Sequence, residues 1–127
     1  MGRLLVVDDQ PTVLEVMGYV FDLIQVQTSC VLDGEKALER ITAEEFNLIF
    51  TDCYMPNLNG WDLIKELKTS EEYDIYSSIP IIGMGTGFRN DNERRKEYEE
   101  KKWVVKFDFK PISNKRLYEY AKSYCSE

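Results

Sequence analysis

The sequence predicts an α/β fold, a doubly wound five-stranded parallel sheet, on three observations. Short apolar runs recur at residues 3–8, 25–31, 48–50, 79–84 and 103–109. Apolar positions at helical spacing follow each of them, so the chain reads β-α five times. Several of the runs are continuously apolar, as strands covered on both faces require.

Residues 3–8 (Arg-Leu-Leu-Val-Val-Asp) form the first strand and end in acid, with Asp9 next. Pro11 suits a first helical turn, and Val13, Met17, Val20, Phe21 and Ile24 mark an amphipathic helix to about residue 24. Residues 25–31 read as a strand of weaker alternation. Asp33-Gly34 is a turn, and Ala37, Leu38 and Ile41 share one face of a short helix. Leu48-Ile49-Phe50 begins the central strand, which ends at Asp52. Met55-Pro56 and Asn59-Gly60 punctuate the next loop, because proline fixes φ and Asn-Gly tolerates left-handed geometry. Trp61, Ile64 and Leu67 give a third helix, and residues 69–78 are polar and turn-like. The fourth strand spans 79–84, with Pro80 near its start where no ladder donor is needed. Residues 89–102 are nearly all charged, with Tyr98 the one clear anchor, so a short or exposed helix is expected. The fifth strand spans 103–109 and stops at Lys110-Pro111. Ser113 can cap a last helix carrying Leu117, Tyr120, Ala121 and Tyr124 on one face. Right-handed crossovers admit the flavodoxin-like strand order 2-1-3-4-5 as one common solution.

A chain of 127 residues is one domain's worth. Its formal charge of −7 argues against nucleic acid as the main partner and suits gathering divalent cations. No run approaches the ~18 apolar residues a membrane span needs. Nor does the N-terminal run read as a signal peptide, since the Asp8-Asp9 pair interrupts it. Three cysteines (30, 53 and 125) without a CxxC point to reduced, mostly buried thiols and a cytoplasmic protein. Nothing basic flanks Cys53 in sequence, which argues against a reactive thiol there. The chain has no histidine, so the commonest general base and zinc ligand are missing.

In the predicted order, Asp8 and Asp9 leave strand 1, Asp52 leaves strand 3, Gly85-Thr86 leave strand 4 and Lys110 leaves strand 5. Ligands of open α/β sheets bind at this carboxyl edge. Three carboxylates so close call for raised pKa values or a bound cation. Hard oxygens without His or Cys select Mg²⁺, which keeps several waters and welcomes a phosphate oxygen. The plainer alternative is that Asp52 only caps a helix or closes a turn.

The residues Leu5-Val6-Val7-Asp8-Asp9, Asp52 through Gly60, Pro80-Ile81-Ile82 and Lys110-Pro111-Ile112, in this order and spacing, resemble a response-regulator receiver domain of two-component signalling. The resemblance covers essentially residues 1–127. It implies that Asp52 takes a phosphoryl group from a phosphohistidine on a sensor histidine kinase or histidine phosphotransfer protein. It further implies Mg²⁺ held by Asp9, Asp52 and the backbone carbonyl of Tyr54, with Asp8 acting through water. Lys110 would contact the phosphoryl oxygens.

Three departures from the family pattern stand out. Gly85 occupies the place of the usual Ser or Thr, and Thr86 one residue later would substitute only if the backbone shifts. Phe107 stands at the family's switch aromatic, yet reads equally as a core phenylalanine. Trp103-Val104 replace the Gly-Ala that commonly precedes the fifth strand. The expected function is a stand-alone response regulator, not an enzyme, whose phosphorylation switches a surface for an unidentified downstream protein. The rivals are a pseudo-receiver that works without phosphate, which Gly85 favours, and a Mg²⁺ phosphatase. The phosphatase needs a second acid near the leaving group, and Tyr54 at that place argues against it.

Overall fold

The computed structural model describes residues 2–125. Five parallel strands form one sheet: β1 (Arg3–Val7), β2 (Gln27–Val31), β3 (Leu48–Asp52), β4 (Ile81–Gly85) and β5 (Lys106–Phe109), in the order 2-1-3-4-5. The helices α1 (Pro11–Leu23), α2 (Gly34–Ala43), α3 (Gly60–Thr69), α4 (Asn92–Glu100) and α5 (Asn114–Cys125) alternate with them. Every residue of β3 and β4 is buried, as strands covered on both faces are, the polar Thr51 and Asp52 at the end of β3 included. The sheet divides the core in two. Leu4, Val6, Phe50 and Met84 pack towards α1 and α5, while Leu5, Val7, Ile49 and Ile81 pack towards α2 and α3. Among the described residues no helix is long and apolar enough to cross a membrane.

Local chemistry sets the helix starts. Pro11 opens α1, Asp33 caps α2 by accepting from the Lys36 amide (2.9 Å), and Asn59 caps α3 by accepting from the Asp62 amide (2.9 Å). The Ser113 hydroxyl accepts from the Arg116 amide at the head of α5 (3.2 Å), as its sequence suggests.

Several expectations need correction. Asn59 has an extended backbone (φ −77°), and no glycine of the described chain has positive φ; the left-handed residue of that loop is Asn57 (φ 63°). Gly60 is required for space instead: a Cβ there would collide with the Asp52 carbonyl oxygen. The polar segment after α3 winds into a 3-10 helix at Glu71–Tyr76, tied down by Lys68 Nζ donating to the carbonyls of Ser77 (2.6 Å) and Ile79 (2.9 Å). The fourth strand runs from Ile81 to Gly85, so Gly85 lies within it. β5 begins only at Lys106; Trp103 lies before it, stacked edge-on against Tyr98 with centroids 4.9 Å apart. The cysteines are mostly buried as expected, Cys53 and Cys125 inside and Cys30 exposed.

α4 is short and charged as expected, with Tyr98 its one buried residue. The Tyr98 hydroxyl donates to the Trp61 carbonyl (3.0 Å), and Arg94 and Arg95 lie over the rings of Trp61 and Phe88. Trp61 is the hub here, with Phe107 5.0 Å and Tyr98 5.3 Å from its ring centre. Gly83 makes room for this cluster, since a Cβ there would stand 2.5 Å from Cδ1 of Phe107. Gly83→Ala is therefore expected to destabilise the fold by about 1–3 kcal/mol in urea denaturation. Combined with Phe107→Leu it should cost clearly less than the two single changes summed; strict additivity would refute the clash.

Candidate functional site

The parallel register places the ends of β1, β3 and β5 at one edge, and the side chains that follow them meet there. Asp8 lies one residue past β1, Asp52 is the last residue of β3, and Lys110 is the first past β5. Lys110 Nζ donates to Asp8 Oδ2 (2.7 Å) and to Asp52 Oδ2 (3.1 Å). The other oxygen of each carboxylate accepts a backbone N–H, from Gln10 for Asp8 (2.9 Å) and from Tyr54 for Asp52 (3.1 Å). Asp8 and Asp52 are buried; Asp9 is exposed. These bonds fix both carboxylates in orientation without using all their lone pairs.

Burial pushes the Asp52 carboxyl above the usual aspartate range. The Tyr54 amide and Lys110 pull it back, and neighbouring Asp8 pushes it up again. Burial alone would lower the Lys110 ammonium, but its bonds to Asp8 and Asp52 hold it above the ordinary lysine value. Cys53 next door is raised well beyond the ordinary thiol range by burial and by Asp52, so it is no nucleophile at neutral pH.

Asp8, Asp9 and Asp52 each offer one oxygen within 4.8 Å of the others. Three carboxylates against one ammonium leave two negative charges, which a divalent cation matches. All donors are hard oxygens, a set suited to Mg²⁺ or Ca²⁺ and unsuited to zinc or iron. The residues present thus fit a hard divalent metal.

The remaining predicted residues stand further out. Thr86 is exposed and lines a cavity of about 280 Å³ beside the site, together with Gln10, Met17 and Lys110. Phe107 is buried against Trp61 and Phe88, in the core rather than at the surface. The Tyr54 ring is half-buried, with the Arg89 guanidinium 4.0 Å over its face. Its hydroxyl lies 2.6 Å from Asp91 Oδ2 and 2.9 Å from the Phe88 carbonyl. Burial and the Asp91 carboxylate push that hydroxyl up to about 12, so it remains a donor at neutral pH. Sequence reading missed Arg89 and Asp91, which nothing local in the sequence links to Tyr54. The Gln10 amide, two residues after Asp8, was accessible as an Asx turn.

The family model for the response regulator receiver domain matches residues 4–122. The sensor protein EvgS of Escherichia coli K12 is 31% identical over 93 residues, covering 73% of this chain but 7% of EvgS. The chemotaxis protein CheV1 of Helicobacter pylori is 30% identical over 94 residues, 70% of this chain and 28% of CheV1. The chain thus spans under a third of either relative. Among solved structures, Vibrio cholerae chemotaxis protein CheY4 superposes with a TM-score of 0.82 at 20% identity, over 98% of both chains. The receiver domain of Francisella response regulator 1452 gives 0.80 at 23% identity, over 98% of this chain and 96% of its own. Those structures share the fold, and the family match adds the lineage: this chain belongs to the response regulator receiver domains of two-component signalling.

Proposed function

We propose that residues 1–127 act as a phosphorylation-controlled receiver module in the cytoplasm, with Asp52 as phosphoacceptor. The observation that carries this reading is the Asp8-Asp9-Asp52 cluster bridged by Lys110 at the end of the central strand. The donor would be a phosphohistidine on a sensor histidine kinase or a histidine phosphotransfer protein; EvgS is by name a sensor protein. A carboxylate oxygen of Asp52 attacks phosphorus in line, the P–N bond breaks, and its electron pair stays with the imidazole, which takes up a proton. The product is an acyl phosphate. Asp9, Asp52 and the Tyr54 carbonyl would hold Mg²⁺, with Asp8 acting through water. The chemistry a bound Mg²⁺ supplies is neutralisation of charge on the phosphoryl oxygens.

Lys110 binds Asp8 and Asp52 before transfer. Phosphorylation moves the Asp52 charge outward onto new acceptor oxygens, and the ammonium follows it. Thr86 borders the same space through its cavity wall. Gly85 favours a second reading, a pseudo-receiver that signals without phosphate, because the end of β4 carries no hydroxyl. Tyr54, held by Asp91 and covered by Arg89, would screen the acyl phosphate from attacking water.

Incubation with acetyl phosphate and Mg²⁺ should add one phosphoryl mass to the intact protein, and Asp52→Asn should abolish it. No adduct leaves the phosphate-free reading standing, and one that survives Asp52→Asn removes Asp52 as the acceptor. Lys110→Ala strands two buried carboxylates and should cost on the order of 3 kcal/mol without metal. Much of that loss should return with millimolar Mg²⁺ in thermal melts; equal losses with and without the ion would refute the cation site. Tyr54→Ala should shorten the half-life of the phosphorylated form several-fold, read by the decay of the mass adduct. An unchanged half-life would remove Tyr54 from that role.

A further inference from the structure

A groove of about 450 Å³ lies between α2 and the 3-10 helix at Glu71–Tyr76, on the flank of the molecule and separate from the acidic site. Its walls combine two chemistries. Leu38, Tyr73 and Tyr76 line it and pack against the buried core beneath, so its apolar lining is continuous with the core. Ile75 stands on its rim at 81% exposure, the highest among the exposed large hydrophobic residues. Ile75 sits on the 3-10 helix whose following residues, Ser77 and Ile79, are tied by their carbonyls to Lys68 Nζ.

The charged residues that line the groove have one sign. Glu35, Glu39 and Glu72 line the groove, and no lysine or arginine is among its described lining residues. Arg40 on the same helix is turned to Glu44 (3.0 Å). Three carboxylates around an apolar lining complement a ligand with an apolar centre and a cationic border. A nucleic acid is excluded by that charge, and a plain apolar partner would leave the three carboxylates facing low dielectric.

We propose that this groove docks a basic amphipathic segment of a partner protein, with lysine or arginine flanking a bulky apolar side chain. The apolar residue covers Ile75, Tyr73 and Leu38, and the cations pair with Glu39 and Glu72. The assignment is independent of phosphorylation at Asp52.

The test uses the full chain and a fluorescein-labelled helical peptide with lysine and arginine bordering a Leu-Phe pair, beside an isomer with glutamate at every basic position. The basic peptide should bind, and the acidic isomer should not. The Glu39→Lys/Glu72→Lys double variant should weaken binding at least tenfold, as should Ile75→Ser. Glu99→Lys on α4 should leave it unchanged, which controls for overall charge. Raising salt from 50 to 500 mM should weaken binding of the wild type more than of the double variant. Circular dichroism confirms that each variant is folded, and methyl NMR should place the shifts at Leu38 and Ile75. Equal affinity for wild type and double variant, no binding at all, or shifts confined elsewhere would overturn the proposal. So would self-association abolished by Ile75→Ser, which would assign the groove to a second copy of the chain. Asp52→Asn should not alter peptide affinity, so loss of phosphorylation and loss of docking are read separately.

Discussion

One ammonium holds the functional edge together. Lys110 lies 58 residues from Asp52 and 102 from Asp8, and it donates to both. Neither carboxylate is tolerable in that place alone. Asp8 is fully buried and Asp52 nearly so, and an ionised carboxylate without a partner costs several kcal/mol there. The ion pairs compensate that cost only partly, because three acids still face one base. The site is left with a deficit of positive charge, of the size a divalent cation would match. This edge carries an electrostatic imbalance that the sheet holds in place.

The sheet can hold it because strand order and direction leave little choice. β1 and β3 are adjacent and parallel, so Asp8 and Asp52 emerge at the same edge, side by side. β5 lies two strands from β3, beyond β4, and the Lys110 amide donates to the Gly85 carbonyl (2.8 Å), anchoring its backbone at the edge of β4. From there a lysine is long enough to reach both carboxylates. The loop after Asp52 is closed by the Gly60 amide on the Cys53 carbonyl, and only glycine fits so near the Asp52 carbonyl.

Much of this was legible in the sequence because the signals are local. Continuous apolar runs announced buried strands, and the acids ending the first and third runs and the lysine ending the fifth placed those side chains at the carboxyl edge. Pro11 and Ser113 marked the starts of α1 and α5 through backbone chemistry that needs no distant partner, whereas the caps at Asp33 and Asn59 read only as turns. What stayed hidden depends on residues far apart in the chain. The reason for Gly83 is a ring 24 positions later, and the partner of Tyr54 is an aspartate 37 positions away. Asn59-Gly60 misled because the pair usually signals a left-handed turn, whereas here steric room and helix capping require it. The polar stretch before β4 gave no hint of a 3-10 helix, whose anchor is the half-buried Lys68 on the preceding helix.

Phe107 shows how the departures fit together. A phenylalanine has no hydroxyl to place at a surface, so its position is governed by packing alone. Gly83 on the neighbouring strand opens the space it fills, and Trp61 and Phe88 close over it. Trp61 follows Gly60, which touches the Asp52 carbonyl, while Phe88 belongs to the loop that carries Thr86 and bonds Tyr54 through its own carbonyl. The aromatic cluster therefore contacts both the loop after the central acid and the loop after β4. A close-packed cluster of this kind resists continuous deformation and changes by discrete repacking. Movement of either loop has to be accommodated by these rings, so the packing of Trp61, Phe88 and Phe107 ties the two loops together by shape.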